Sequence, residues 1–248
     1  MKVNLKAVII SGLVLLAVLF QGCTAANTGN SQLIPYTANT TGLPENPNKG
    51  VDYTGKALKE IWLAGGCFWG VEAYLARVYG VADTDVGYAN GKTENPSYED
   101  VSHRGTGHAE TVHVQYDPER VDLKTLLEQF FTIIDPVSVN KQGNDIGSQY
   151  RTGIYYEDKA DLETINAVMK AEQEKYSEPL AVEATPLKGY YKAEEYHQDY
   201  LEKNPNGYCH IDFSSLKKQS SIKINPDAYK KPGDATLKKI LTKEQFSI

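Results

Sequence analysis

The chain has three cysteines, Cys23, Cys67 and Cys209, and the chemistry open to it starts from them. Cys67 stands in LAGGCFWGVEAY, residues 63–74, between two glycines and the pair Phe68-Trp69. A helix that starts at this point would aim unpaired N–H groups and its positive dipole end at the sulfur. Such placement is expected to lower the thiol pKa and raise the thiolate fraction. The glycines allow a sharp turn that leaves the sulfur open to solvent. Cys23 follows an apolar N-terminal run, which leaves Cys67 and Cys209 as a pair, one near each end of the remaining sequence. In an oxidising compartment such a pair is either a structural disulfide or a couple that cycles between thiol and disulfide. No C-x-x-C occurs, so the spacing does not suit zinc. His103, His108 and His113 recur every five residues, which is not metal spacing on a helix. Cys67 with His108 or His197 as base would make a nucleophilic hydrolase. A permanent Cys67–Cys209 staple would instead suit a surface binding module.

These residues need a scaffold, and the hydrophobic periodicity suggests one. LKEIWLAG (58–65) is rich in β-formers and ends at the double glycine. Residues 69–78 carry Val71, Tyr74, Leu75 and Val78 at helical spacing. A strand follows Gly80, then a loop rich in Gly, Asn, Ser and Pro to about Gly107. AETVHVQYD (109–117) alternates as a strand. Asp122 caps a helix with Leu123, Leu126, Leu127, Phe130, Phe131 and Ile134 on one face, stopped by Pro136. The strand TGIYYE, a helix over 158–176 and the strand LAVEATPL complete the regular part. AEEYHQDYLEKNPNGYCH is expected to begin as helix and to break at Asn204-Pro205. The order β-α-β-β-α-β, then α-β, predicts an α+β fold: a ferredoxin-like two-layer sandwich with a coil-rich C-terminal tail.

The string GCFWG resembles the active-site signature of the peptide methionine sulfoxide reductase A family. NPSYEDV (95–101), TGHAETVHVQYDP (106–118), GNDIGSQYR (143–151) and NPNGYC (204–209) match the same family in order. The resemblance covers about residues 58–210. It implies a thiol-dependent reduction of methionine sulfoxide, of the S epimer, free or in proteins. By the same resemblance Cys67 is the nucleophile and Glu110 the proton donor. Phe68 and Trp69 receive the methyl group. Tyr98 and Tyr150 hydrogen-bond the sulfoxide oxygen, and Asp145 holds the polar network. A carboxyl that is protonated near neutral pH requires an apolar setting. The product on Cys67 is a sulfenic acid, which condenses with Cys209 to a disulfide. An outside dithiol, thioredoxin or a thioredoxin-like envelope domain, must then reduce that bond. No further cofactor or metal is implied, and a monomer is expected.

The ends of the chain read differently. Lys2 and Lys6 precede an uncharged apolar run from Ala7 to Phe20, too short to span a bilayer and suited to an export signal. The run ends in LFQGC, which resembles a bacterial lipoprotein signal with Cys23 as the lipidated residue. Phe20 and Gln21 depart from that pattern, and ordinary cleavage after Ala25 or Ala26 is the alternative. Lipidation would place the protein on the cell envelope, outside the cytoplasm, where it would repair oxidised proteins. Residues 23–56 read as a flexible tether and 57–213 as the catalytic domain. Residues 230–248 resemble the opening of a B-type methionine sulfoxide reductase domain, so 214–248 is expected to be a linker or remnant of a fusion. The formal net charge of −6 without a basic stripe points away from nucleic acid.

Overall fold

The computed structural model describes residues 43–216. The expected lipid site at Cys23, the signal, the first part of the tether and the B-type segment lie outside the described residues.

Strand β1 (Lys59–Ala64) sends Ile61 and Leu63 to one face of a sheet and Trp62 and Ala64 to the other. It leads to helix α1 (Phe68–Leu75), strand β2 (Val81–Ala89), helix α2 (Tyr98–His103) and strand β3 (Ala109–Tyr116). Helix α3 (Leu123–Phe131) begins where the Asp122 side chain accepts from the Thr125 N–H at 2.7 Å. Its Leu123, Leu126, Leu127, Phe130 and Phe131 are buried, as the heptad-like spacing requires. A small hairpin, β4 (Lys141–Gln142) and β5 (Asp145–Ile146), and a 3-10 turn (Ser148–Tyr150) precede strand β6 (Thr152–Tyr156). Helix α4 (Asp161–Gln173), strands β7 (Val182–Pro186) and β8 (Tyr190–Lys192) and helix α5 (Tyr200–Lys203) follow.

The six-stranded sheet runs in the order β7-β6-β1-β3-β2-β8. Its central strands β6, β1, β3 and β2 are antiparallel neighbours throughout, which is the ferredoxin-like arrangement expected from the β-α-β-β-α-β order. β7 joins β6 in parallel through α4, and β8 closes the far edge against β2. The main core lies on the helical face, between α1, α3, α4 and residues such as Ile61, Leu63, Val112 and Val114. A smaller cluster around Trp62 and Tyr155 covers the opposite face.

Three local expectations give way. The loop expected between β2 and β3 contains α2, held by a capping box between Ser97 and Asp100. The segment 194–199, expected as helix, is a series of turns. There Gln198 bonds both the N–H and the C=O of Val86, and the Asp199 N–H donates to Glu72 at 3.0 Å with φ near +50°. Those bonds to β2 and α1 outweigh local helix preference, so only 200–203 is helical. The end of the expected tether is not free either. Asn48 is buried, donates to the carbonyls of Ala76 and Val78, and accepts from the Gly80 N–H and the Tyr53 hydroxyl. Arg77 adds a bond to the Pro44 carbonyl. Residues 43–53 therefore strap the end of α1.

Candidate active site

Cys67 takes the N-cap position of α1, where β1 ends in Gly65-Gly66. Gly66 has φ of +87°, a conformation open to glycine, and it turns the chain so that the next residue starts the helix. Cys67 is buried at 8 % exposure rather than open to solvent. Its thiol is pushed well above the ordinary thiol range, first by burial and then by the nearby carboxyl of Glu110. The Trp69 N–H at the helix start acts in the opposite direction and is outweighed. The expectation of a lowered thiol pKa is therefore corrected: desolvation of the charge exceeds what one helix terminus returns.

Glu110 projects from β3 toward the same turn, and its Oε2 accepts from the Phe68 N–H at 3.1 Å. At 2 % exposure its carboxyl is pushed up to about 8 by burial, with a further push from Asp145. The group is thus a neutral acid at neutral pH, next to the residue that follows Cys67. The structure brings the thiol and the acid together across two elements, 43 residues apart in sequence (110 − 67 = 43).

The aromatic residues surround this pair. Phe68 is 1 % exposed and leans on Tyr88 and His197. Trp69 is partly buried, stacks on Tyr200 at 3.7 Å between centroids, and donates its indole N–H to His197 Nδ1 at 3.0 Å. Tyr98 opens α2, and Glu194 holds its backbone N–H at 2.9 Å. The hydroxyls of Tyr98 and Tyr150 interact, and both rings feel Glu110 and Cys67. Burial raises the pKa of both phenols, so each remains a hydrogen-bond donor. Tyr150 comes from the 3-10 turn and Asp145 from β5. The loop that carries both is held by Gln142, buried at 2 %, whose amide bonds Asp135 N–H, Asp135 C=O and the Thr152 hydroxyl. Asp145 accepts from the Tyr208 hydroxyl at 3.2 Å, and its charge reaches both Cys67 and Glu110.

Cys209 returns to the same turn from the C-terminal side. A methyl group on Gly70 would lie 3.1 Å from its sulfur and 2.7 Å from Ile211 Cγ1. The missing side chain of Gly70 is what lets Cys209 lie on α1 one turn beyond Cys67. No disulfide joins Cys67 and Cys209 in this structure. All the described residues expected at the site therefore converge: Cys67, Phe68, Trp69, Tyr98, Glu110, Asp145, Tyr150 and Cys209.

The arrangement argues against a Cys-His hydrolase. His108 Nδ1 accepts from the Gly91 N–H, and its Nε2 pairs with the Thr93 carbonyl. His197 Nδ1 accepts from the Trp69 indole, while its Nε2 is buried without a hydrogen-bond partner. Neither ring is hydrogen-bonded to Cys67; His108 is committed to the Gly91–Thr93 loop and His197 to the aromatic wall. The sequence offered His197 only as a hydrolase base and gave Tyr200 and Glu194 no role; in the structure all three, within AEEYHQDY, support the aromatic wall. The density of aromatic and ionisable residues in that string was the available signal. Glu72 was missed too; it is buried beside Asp199, and burial pushes its carboxyl up to about 8. Among the described residues no group of three His, Cys, Asp or Glu side chains is placed to hold a metal ion. No described helix is long and apolar enough to cross a membrane.

A family model described as peptide methionine sulfoxide reductase matches residues 59–228. A peptide methionine sulfoxide reductase MsrA of Clostridium perfringens is 61% identical over 154 residues, covering 62% of this chain and 98% of that protein. The crystal structure of Mxr1 from Saccharomyces cerevisiae in reduced form matches with a TM-score of 0.58 and 42% identity, over 61% of this chain and 88% of the other. Methionine sulfoxide reductase A of Corynebacterium diphtheriae matches with a TM-score of 0.57 and 33% identity, over 68% and 86% of the two chains.

Proposed function

The chain belongs to the peptide methionine sulfoxide reductase family, and from that premise we propose how its own residues carry the reaction. The reaction is the thiol-dependent reduction of methionine sulfoxide to methionine. Phe68 and Trp69 take the methyl group of the substrate. Tyr98 and Tyr150 donate to the sulfoxide oxygen, and Glu110 protonates it. The thiolate of Cys67 attacks the sulfoxide sulfur, and the hydroxyl passes to the Cys67 sulfur as the methionine thioether leaves. The proton lost by Cys67 returns to Glu110, so thiol and sulfoxide become sulfenic acid and thioether with every atom accounted for. Cys209 then attacks the sulfenic acid, water leaves, and the Cys67–Cys209 disulfide remains. A thioredoxin-type dithiol reduces it. The substrate is the S epimer, free or in a peptide, and the enzyme works as a monomer.

One observation carries this reading: a carboxyl held near pKa 8 and bonded to the residue after a buried thiol. A general acid that must donate near neutral pH needs that setting. Single turnover with a methionine sulfoxide peptide tests it. The reduced enzyme should yield one methionine and lose two thiols. Cys209→Ser should yield one methionine and leave a sulfenic acid that a dimedone probe labels. Sustained turnover by Cys67→Ser would refute the assignment.

The N-terminal sequence supports a second reading, of place rather than chemistry. Export with lipid attachment at Cys23 would put the enzyme on the cell envelope, where it would repair oxidised proteins with a thioredoxin-like envelope domain as donor. Mass spectrometry of the mature N-terminus decides: a diacylated cysteine at 23 supports the anchor, and a free N-terminus downstream rejects it.

A further inference from the structure

The residue after Cys209 occupies a position that the reaction above leaves without a role. His210 has only 11 % of its side chain exposed, and both ring nitrogens are buried without a hydrogen-bond partner. Its Nδ1 side faces Asp145 Oδ2 at 3.6 Å, an ion-pair distance too long for a hydrogen bond. Its Nε2 lies over the turn that carries Cys67: a methyl group on Gly66 would be 3.1 Å from it. Cys209, meanwhile, lies over Gly70. The consecutive side chains of Cys209 and His210 thus lie over Gly70 and Gly66, three residues after Cys67 and one before it.

Formation of the disulfide has a proton to move. Burial holds the Cys209 thiol above its ordinary pKa, so it keeps its proton at neutral pH. The oxygen of a Cys67 sulfenic acid is a poor leaving group unless it gains one. Glu110 is engaged by the Phe68 N–H and serves the first step. A buried ring with unpartnered nitrogens costs free energy in this state, and a role in another state of the cycle is one reason to keep it.

We propose that His210, oriented by Asp145, relays the proton of the disulfide-forming step, taking it from the Cys209 thiol and delivering it to the oxygen that leaves Cys67. The S–S bond forms, the S–O bond breaks, and the proton from Cys209 leaves with hydroxide as water. No outside oxidant or reductant enters. The inference rests on the Cys67–Cys209 reading above and adds a residue to its second step.

Single-turnover quenching separates the two steps, since methionine reports the first and loss of alkylatable thiols the second. The neutral imidazole is the form that accepts a proton. Burial lowers its pKa below the ordinary histidine value, while Asp145 works against that shift. The titratable groups around the ring are Asp145 from β5, Cys67 from the α1 turn, and Tyr208 and Cys209 on its own segment. In the wild type, the thiol-loss rate is expected to rise with pH through the His210 titration, on the acid side of the usual histidine range. His210→Gln should lose that limb, and its thiol-loss rate should fall about 10- to 100-fold relative to its methionine rate. Free imidazole should restore His210→Ala. Asp145→Asn, which removes the charge that raises the His210 pKa, should move the limb to lower pH. A wild-type rate ratio and an intact acid limb in His210→Gln would overturn the proposal. If the His210 variants do not fold, an unmoved limb in Asp145→Asn overturns it alone. A reduced wild-type enzyme that forms no methionine at all would instead sink the reductase assignment beneath it.

Discussion

Cys67 and Glu110 are a coupled pair, and their chemistry depends on where one proton resides. At neutral pH the free enzyme holds a thiol and a carboxylic acid, because burial disfavours both charges. The productive form lacks one proton, with thiolate and acid present together. The profile of kcat/KM should therefore rise as pH approaches about 8, where the pair loses its first proton, and fall at higher pH where it loses its second. Glu110→Gln should lower kcat/KM by about 10²- to 10⁴-fold and abolish the alkaline descent, since the amide has no proton to lose. A descent that survives in Glu110→Gln would assign it to another group. Trp69 acts differently. Its indole is pinned by His197 and Tyr200 rather than by the thiol. Trp69→Ala should raise KM more than it lowers kcat for a methyl sulfoxide, measured in one steady-state series.

Elements place these residues by close approach. Gly70 in α1 is the clearest case, because a methyl group there would meet Ile211 Cγ1 at 2.7 Å and the Cys209 sulfur at 3.1 Å. Gly70→Ala should displace the 209–211 segment and slow disulfide formation at least about tenfold, as a near-attack geometry is lost; methionine formation in the same quench series should slow less. The strap over 43–53 supports the other end of α1. Asn48 there fills four hydrogen bonds in a buried position. Asn48→Ala takes the partner from the Ala76 carbonyl and the Gly80 N–H, while the Val78 carbonyl keeps its bond from the Val81 N–H. It should destabilise the domain by about 2–3 kcal/mol in urea unfolding, on the scale of unsatisfied buried polar groups.

For the molecule as a whole, two buried carboxyls link stability to pH. Glu72 and Glu110 are both pushed up to about 8 by burial, from an ordinary value of 4.5. Between those values the folded chain holds protons that the unfolded chain has released. Stability should therefore decline as pH rises from about 4.5 to 8 through these two groups. Glu72→Gln should flatten that decline and raise the thermal midpoint at pH 8 relative to the wild type; an unchanged slope would show that Glu72 does not hold its proton. This proton linkage was invisible in the sequence, where Glu72 is one more acidic residue in a helix. The fold was more legible. The β-α-β-β-α-β order, the capped α3 and the alternation in β1 and β3 are patterns set by local period and side-chain chemistry, and they led to the observed four central strands. The short elements α2, β4, β5 and β8 were not legible: β4 and β5 are two-residue strands with no period to read, and β8 and the start of α2 lean on partners distant in the chain, β2 and Glu194. Cys67, Glu110, Tyr98, Tyr150, Asp145 and Cys209 were singled out by motif strings that resemble the family, and the fold brings these residues together at the start of α1. What only the tertiary structure decided was their state. Helix position alone suggested an ionised sulfur, while the packing of α1 against β3 buries it and keeps it protonated. Local sequence specifies which groups are present; the solvent that folding removes decides their charge.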